Sequence, residues 1–103
     1  MKKNKVLISP EAFADIREIN SWYEEQQEGL GLRFQEEVIR MIDFLRINPS
    51  TFTVRYKNIR CALVRKFPFM IHYTIADKGQ LVKVLAVIST SRNPQVWKRK
   101  TGN

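Results

Sequence analysis

Residues 69–88 read FMIHYTIA-DKGQ-LVKVLAVI, and this stretch decides the fold. In residues 69–76 apolar side chains alternate with the others, which is the period of a β-strand. Residues 77–80 form a turn, with glycine where a positive φ is easiest. Residues 81–88 are the most continuously apolar segment of the chain. We therefore expect them to form the central strand of a sheet, covered on both faces.

Upstream of this hairpin, residues 59–66 are predicted to form another strand, which ends at Phe67-Pro68. Its Cys61 is the only cysteine in the chain, so an internal disulfide and a cysteine-based zinc cluster are excluded. Because Cys61 lies in an alternating segment, we expect a small buried or half-buried strand residue there, without chemistry of its own.

The first half of the chain has a helical period instead. After a short apolar strand at residues 6–8, Ser9-Pro10-Glu11 combines a capping hydroxyl, a proline at the first helical position and an acid near the positive helix end. A second helix is predicted after a break at residues 29–31. It ends at Asn48-Pro49, because a residue before proline avoids the α region. The short link predicts an antiparallel helical hairpin.

The predicted order β-α-α-β-β-β, with a last helical turn at residues 94–100, indicates an α+β fold. We expect one domain over residues 1–103, with the hairpin packed on a mostly antiparallel sheet of three to four strands. The acids around the helix link are expected to form a solvated charged end: Glu24, Glu25, Glu28, Glu36 and Glu37.

Charge is divided along the chain. Residues 1–50 carry seven Lys and Arg against nine acids, whereas residues 51–103 carry eleven against Asp77 alone, so their net charges are −2 and +10. The second half is therefore predicted to meet nucleic acid or an acidic protein. The apolar run at residues 6–8 is too short for a signal peptide, and no segment approaches the about 20 apolar residues of a membrane span. We expect a cytoplasmic protein without a membrane partner.

The order of these segments resembles the RelE/ParE toxin superfamily. The likeness is carried by the leading strand, the two helices, and then Ile59-Arg60, FPFMIHY at 67–73, VLAV at 84–87 and SRNPQVW at 91–97. It covers nearly the whole chain. The resemblance implies the toxic half of a type II toxin–antitoxin, or plasmid-stabilisation, system. Such a toxin inhibits growth and is neutralised by an acidic antitoxin in a hetero-oligomer.

The superfamily has two activities. RelE-type members cut messenger RNA in the ribosome with basic side chains on the sheet, whereas ParE-type members poison DNA gyrase. The resemblance places an arginine of the RelE type at Met70 and its strand lysines at about Cys61 and Leu63. Cleavage of a phosphodiester needs a base, an acid and cations that hold the developing charge. We therefore expect a ParE-like toxin that acts by binding gyrase, without catalysis, cofactor or metal.

We expect basic and aromatic residues of the second half to bind the target or the antitoxin. The predicted set is Arg60, Arg65, Lys66, Arg92, Trp97, Lys98 and Arg99. For Arg92 a turn or capping role is equally open, and Trp97 is expected to pack on the sheet edge. Arg60 and Arg65 would face opposite sides of a regular strand, because they are five positions apart.

Two other functions stay open. A ribosome-dependent endoribonuclease would need a rebuilt site of Arg65, His72, Arg92 and Trp97. His72 is the only histidine, and it is otherwise expected to be a surface or interface residue of its strand. A plain nucleic-acid-binding module would bind DNA or RNA with a steep dependence on salt.

Overall fold

The computed structural model describes residues 3–102. Its elements in chain order are β1 (Lys5–Ile8), α1 (Pro10–Gln26), α2 (Leu30–Ile47), β2 (Val54–Tyr56), β3 (Ile59–Leu63), β4 (Phe69–Ala76), β5 (Leu81–Ser89) and α3 (Pro94–Lys100). The predicted α+β fold, with its leading strand, helical hairpin and short last helix, is confirmed. Within the described residues no helix combines the length and apolarity needed to cross a bilayer.

The five strands lie in the order β1-β5-β4-β3-β2. β1 runs parallel to β5, and the other neighbours are antiparallel. The middle strand is therefore β4, and the prediction that residues 81–88 form the central strand is wrong. Both strands are interior, so their apolar content could not rank them. β2 was not predicted, because three residues are too short to show a period.

The predicted start of α1 is confirmed by its capping contacts. The Ser9 hydroxyl accepts a hydrogen bond from the Ala12 amide at 3.1 Å. It also donates to the Leu85 carbonyl at 3.0 Å. Since β1 pairs with β5 only as far as Val84, Ser9 both caps the helix and satisfies the next part of the β5 edge.

The turn between α1 and α2 depends on its two glycines. Gly29 has φ 86° and precedes α2, whereas Gly31 already lies in the first turn of that helix. A Cβ atom on Gly31 would lie 2.6 Å from the Asn20 carbonyl oxygen, so glycine allows the helices to approach. The Glu24 carboxylate accepts from the amides of Gly29 and Gly31 at 2.9 and 3.0 Å. Glu24 is exposed, in agreement with the predicted solvated end, and it also caps α2.

The hairpin packs on one face of the sheet and makes the main core there. Tyr23 of α1 and Phe34 of α2 meet Phe67 at ring-centroid distances of 5.0 and 5.3 Å. Ile71 and Tyr73 of β4 are fully buried in the same cluster. Edge-on aromatic contacts of this kind add to the stabilisation from apolar burial. The opposite face of the sheet carries no part of the hairpin and is partly covered by α3.

Candidate functional site

The charge division along the chain becomes a division between two layers of the fold. All nine acids of residues 1–50 lie on the helical hairpin, at positions 11–43. The eleven cations of the second half lie on the sheet, in its turns and on α3. The molecule therefore has an acidic layer and a basic layer, and an acidic partner is attracted to the second one.

Trp97 of α3 packs on the sheet face opposite the hairpin. It is 8% exposed and lies against Ala86 and Ile88 of β5, with Tyr56 and Met70 beside it. The prediction that Trp97 packs on the sheet edge is wrong. Because the Asn93 side chain caps α3 through the Gln95 amide at 2.8 Å, the chain turns back over the face as soon as β5 ends.

His72 lies under Trp97, at a ring-centroid distance of 5.1 Å, and is fully buried. Its Nδ1 is 2.8 Å from the Tyr56 hydroxyl and 3.5 Å from the Cys61 sulfur. Burial, with a smaller repulsion from Arg55, lowers the pKa of His72 from 6.5 to about 4. The expectation of a surface or interface histidine is wrong, because α3 covers a position that the strand alone would expose.

Cys61 shares this cluster and is buried, as the sequence predicts. Burial raises the pKa of its thiol to about 11. At neutral pH the thiol is therefore protonated and the imidazole of His72 is neutral. A thiolate nucleophile and a base matched to neutral pH both need the opposite environment.

The three positions at which the resemblance places catalytic cations lie on this same face. Cys61 pairs with His72, and Leu63 pairs with Met70, across β3 and β4. Paired residues of antiparallel strands point to the same side. Leu63 is 54% exposed, so part of this surface is apolar and open to solvent. None of these side chains carries a positive charge at neutral pH.

The structure separates the predicted basic residues into groups. The Arg60 guanidinium donates to the Phe52 carbonyl and so fastens the segment before β2. Arg65 and Lys66 are exposed in the loop after β3, which ends at Leu63. Arg65 therefore lies outside the strand, and the condition under which Arg60 and Arg65 would face opposite sides of it is not met.

Arg92 lies in the turn between β5 and α3. Its backbone amide donates to the Ser89 carbonyl at 3.1 Å, and its side chain is exposed. The Thr90 amide donates to the Pro68 carbonyl at 2.9 Å, which joins this turn to the loop that carries Arg65 and Lys66. These three cations therefore come from two adjacent loops at one end of the sheet.

Lys98 and Arg99 form the last group of predicted cations. Both are exposed on α3. The orientation of this short helix is fixed by neighbours that sequence reasoning missed. The first is Arg55 of β2, whose guanidinium lies 5.4 Å from the ring centroid of Trp97. Such a cation–π contact holds the aromatic ring from its outer side.

The second missed contact is an ion pair between α1 and α3. The Asp15 carboxylate is 7% exposed and accepts from the Lys100 ammonium at 2.6 Å and from the Val87 amide at 2.9 Å. Burial raises the pKa of Asp15, and the hydrogen bond to Lys100 opposes that effect. One signal was available, since Asp15 lies three positions after Ala12 in the apolar stripe of α1.

Residues 3–102 contain no group of three or more His, Cys, Asp or Glu residues that could hold a metal ion. The arrangement therefore offers cations and apolar surface for binding. Its buried polar groups are neutral or paired.

The known proteins that this chain resembles are toxins of toxin–antitoxin systems. The family model described as ParE toxin of type II toxin–antitoxin system, parDE, matches residues 6–94. A chain of the chromosomal ParDE toxin–antitoxin system from P. aeruginosa is similar, with a TM-score of 0.73 and 14% identity over 86% of this chain and 98% of that chain. No curated protein sequence matches.

Two E. coli structures are also similar. A mutant of the toxin RelE in the free state has a TM-score of 0.65 and 14% identity, over 86% of this chain and 85% of that chain. A chain of the intact RelBE toxin–antitoxin complex has a TM-score of 0.53 and 17% identity, over 86% and 99%. At these identities the likeness to solved structures establishes the fold alone.

Proposed function

Because the chain belongs to the ParE toxin family of type II toxin–antitoxin systems, we propose that it inhibits growth by binding DNA gyrase and does not cut RNA. The observation that carries this proposal is the lack of charge at three positions on the sheet face opposite the hairpin. Cys61, Leu63 and Met70 lie there, at the positions where the resemblance places the cations of RNA-cutting members. Uncharged side chains at these three positions offer no stabilisation to the charge that develops on a phosphate during cleavage.

The proposed gyrase contacts are the exposed cations around this face. Lys98 and Arg99 are held in one orientation by the burial of Trp97 and by the Lys100–Asp15 pair. Charges on a fixed support select an acidic protein surface and speed association with it. In this proposal Arg65, Lys66 and Arg92 extend the contact, whereas Arg60 and Trp97 act by positioning their neighbours.

The second partner in the proposal is an acidic antitoxin that binds the toxin in a hetero-oligomer in the cytoplasm. Two observations support it. The chain has a net charge of +8, and its cations are concentrated in one layer, where an acidic segment relieves their repulsion. The similar E. coli RelBE structure is itself a toxin–antitoxin complex.

The test combines growth with two assays on purified protein. Induced expression is expected to stop growth, and co-expression of a small acidic protein encoded next to the gene is expected to restore it. The purified toxin is expected to inhibit supercoiling by gyrase and to leave messenger RNA intact in a translation extract.

A pair of charge-reversed variants locates the contact. Lys98→Glu with Arg99→Glu is expected to weaken gyrase inhibition about tenfold or more, since interface charges contribute on the order of 1 kcal/mol each. Arg17→Glu with Arg33→Glu makes the same charge change on exposed hairpin positions and is expected to have no such effect.

Two results would overturn the gyrase proposal. Degraded messenger RNA with unaffected supercoiling would favour an endoribonuclease with Arg65, His72, Arg92 and Trp97. The specific observation on its side is the contact between the rings of His72 and Trp97. Binding to naked DNA or RNA that falls steeply with salt, without a protein target, would favour a nucleic-acid-binding module.

A further inference from the structure

A pocket of about 320 Å³ lies where the acidic hairpin meets the basic end of the sheet. Ile19 and Trp22 of α1 form one wall, and Phe69 and Val87 of the sheet form the other. Trp22 is 55% exposed, although tryptophan is usually well buried. The pocket therefore opens to the solvent between two apolar walls that contain aromatic rings, which suits an apolar side chain of a partner.

The charged groups that line this pocket are of two kinds. Asp15 and Lys100 bind each other at 2.6 Å, so their charges are compensated. Glu18, on α1, and Arg92, after β5, form no ion pair within residues 3–102. These two uncompensated charges have opposite sign and come from opposite walls. A partner that fills the pocket is thereby oriented, with its acidic group on the Arg92 side.

Beyond Arg92 the surface is basic for some distance. The loop with Arg65 and Lys66 is hydrogen-bonded to the turn with Arg92 through Pro68 and Thr90. After Asp77 the chain contains no acid at all. A segment that leaves the pocket on this side therefore meets the exposed Arg92, Arg65 and Lys66, and an acidic segment is favoured.

We propose that the Trp22 pocket, formed by Ile19, Trp22, Phe69 and Val87 between Glu18 and Arg92, receives an apolar anchor residue of an acidic peptide segment. In that segment an Asp or Glu follows the anchor towards Arg92. The occupant rests on the proposed function, since the acidic antitoxin is the partner with this chemistry. The docking of an anchor between one acid and one base is the new element.

The groove between β1 and α2 is a weaker candidate for the same segment. Val6, Ile8, Ile39 and Ile42 form its apolar part. The charges that line it alternate along α2, as Glu36, Arg40, Asp43 and Arg46. Such alternation gives an acidic segment no preferred side, so of these two sites the Trp22 pocket is the one that selects for charge.

A library of random 12-residue peptides displayed on phage, selected on the whole protein, tests the inference. Enriched peptides are expected to share an aromatic residue or leucine with a neighbouring acid. Their affinities, measured by titration calorimetry, are expected to fall at least tenfold on Trp22→Ala and on Arg92→Glu. A second selection on Arg92→Glu is expected to replace the acid by Lys or Arg.

Matched variants control for exposure and for charge. Leu32→Ala removes an equally exposed side chain, 59% against 55%, from the other helix. Lys78→Glu reverses a charge in the turn before β5, at the opposite end of that strand from Ser89. Both are expected to bind the selected peptides as the wild type does.

Tryptophan quenching gives an independent readout of occupancy. Trp22 is 55% exposed and Trp97 is 8% exposed, so a neutral quencher such as acrylamide reaches mainly Trp22. A selected peptide is expected to reduce this quenching. In Trp22→Phe only Trp97 remains, and the peptide is expected to change nothing.

Failure of the pocket and failure of the toxin function have different signatures. Peptides that bind Trp22→Ala and Arg92→Glu as tightly as the wild type, or a selection without enrichment, would overturn the pocket while the gyrase result stands. Loss of gyrase inhibition by the wild-type protein would overturn the proposed function while the peptide affinities stand. Trp22→Ala, measured alone, is expected to inhibit gyrase as the wild type does.

Discussion

The two faces of the sheet bury very different numbers of apolar residues. Among residues 3–102, the apolar cluster under the helical hairpin has thirteen buried residues. The apolar cluster at α3 has three, of which Trp97 is the largest, and the buried Cys61 and His72 lie beside it. Apolar burial scales with area, so the hairpin face contributes most of the stability. The α3 face instead fixes the orientation of the helix on which Lys98 and Arg99 are exposed.

The comparison shows why the smaller face relies on a few specific contacts. A helix of seven residues is not stable in isolation. α3 therefore depends on the burial of Trp97, the cation–π contact with Arg55 and the ion pair between Lys100 and Asp15. Loss of one of these contacts is expected to affect α3 before it affects the hairpin.

The largest effect is expected on the hairpin face. Phe34→Ala removes a fully buried ring that meets Tyr23, Phe67 and Phe69, and it is expected to lower the free energy of unfolding by about 4 kcal/mol. Urea denaturation measures this loss. Phe13→Ala, at a position 53% exposed, is the control and should change stability by less than about 0.5 kcal/mol. A loss below about 1 kcal/mol for Phe34→Ala would contradict the ranking of the faces.

On the α3 face, Trp97→Ala is expected to lower the free energy of unfolding by about 3 kcal/mol, because a large buried ring is lost. It also removes the cover of His72, so the pKa of that imidazole should rise from about 4 towards 6.5. Proton NMR of the single histidine follows this change. A pKa that stays near 4 would show that α3 is not what buries His72.

Low pH is expected to destabilise the folded protein through His72, which lies on the same face. Its pKa is lowered on folding, so the unfolded chain takes up the proton first and stability falls as the pH drops below 6.5. From pH 6.5 to pH 5 the loss should be about 2 kcal/mol.

Urea denaturation across this pH range measures the acid effect. His72→Gln keeps a polar side chain that does not titrate there, so its stability curve is expected to be flatter by the same amount. Parallel curves for the wild type and His72→Gln would exclude His72 as the cause.

The smallest effect is expected at the ion pair. Lys100→Met leaves the buried Asp15 carboxylate without its cation, but Lys100 is partly solvated, so the loss should be about 1 kcal/mol. Lys98→Met removes the same charge from an exposed position of the same helix and is expected to be nearly neutral. Equal losses for the two variants would mean that the contact with Asp15 adds nothing.

Much of the fold could be predicted because its signals are local. The cap at Ser9, the helix end before Pro49 and the turn at residues 77–80 each depend on a few adjacent residues. The candidate site could be predicted less well from the sequence. His72 and Trp97 were recognised as notable residues, but the contact between their rings forms only when α3 folds back over the sheet.

The sequence by itself determined the order of the elements, the amphipathic faces of the helices and the separation of charge between the two halves. Only the tertiary structure decided that β4 is the middle strand, that His72 is buried and that Asp15 meets Lys100 across 85 positions. The physical reason is the range of the interactions. Backbone conformation and periodicity depend on near neighbours along the chain, whereas burial and ion pairing depend on surfaces that meet only after the chain has folded.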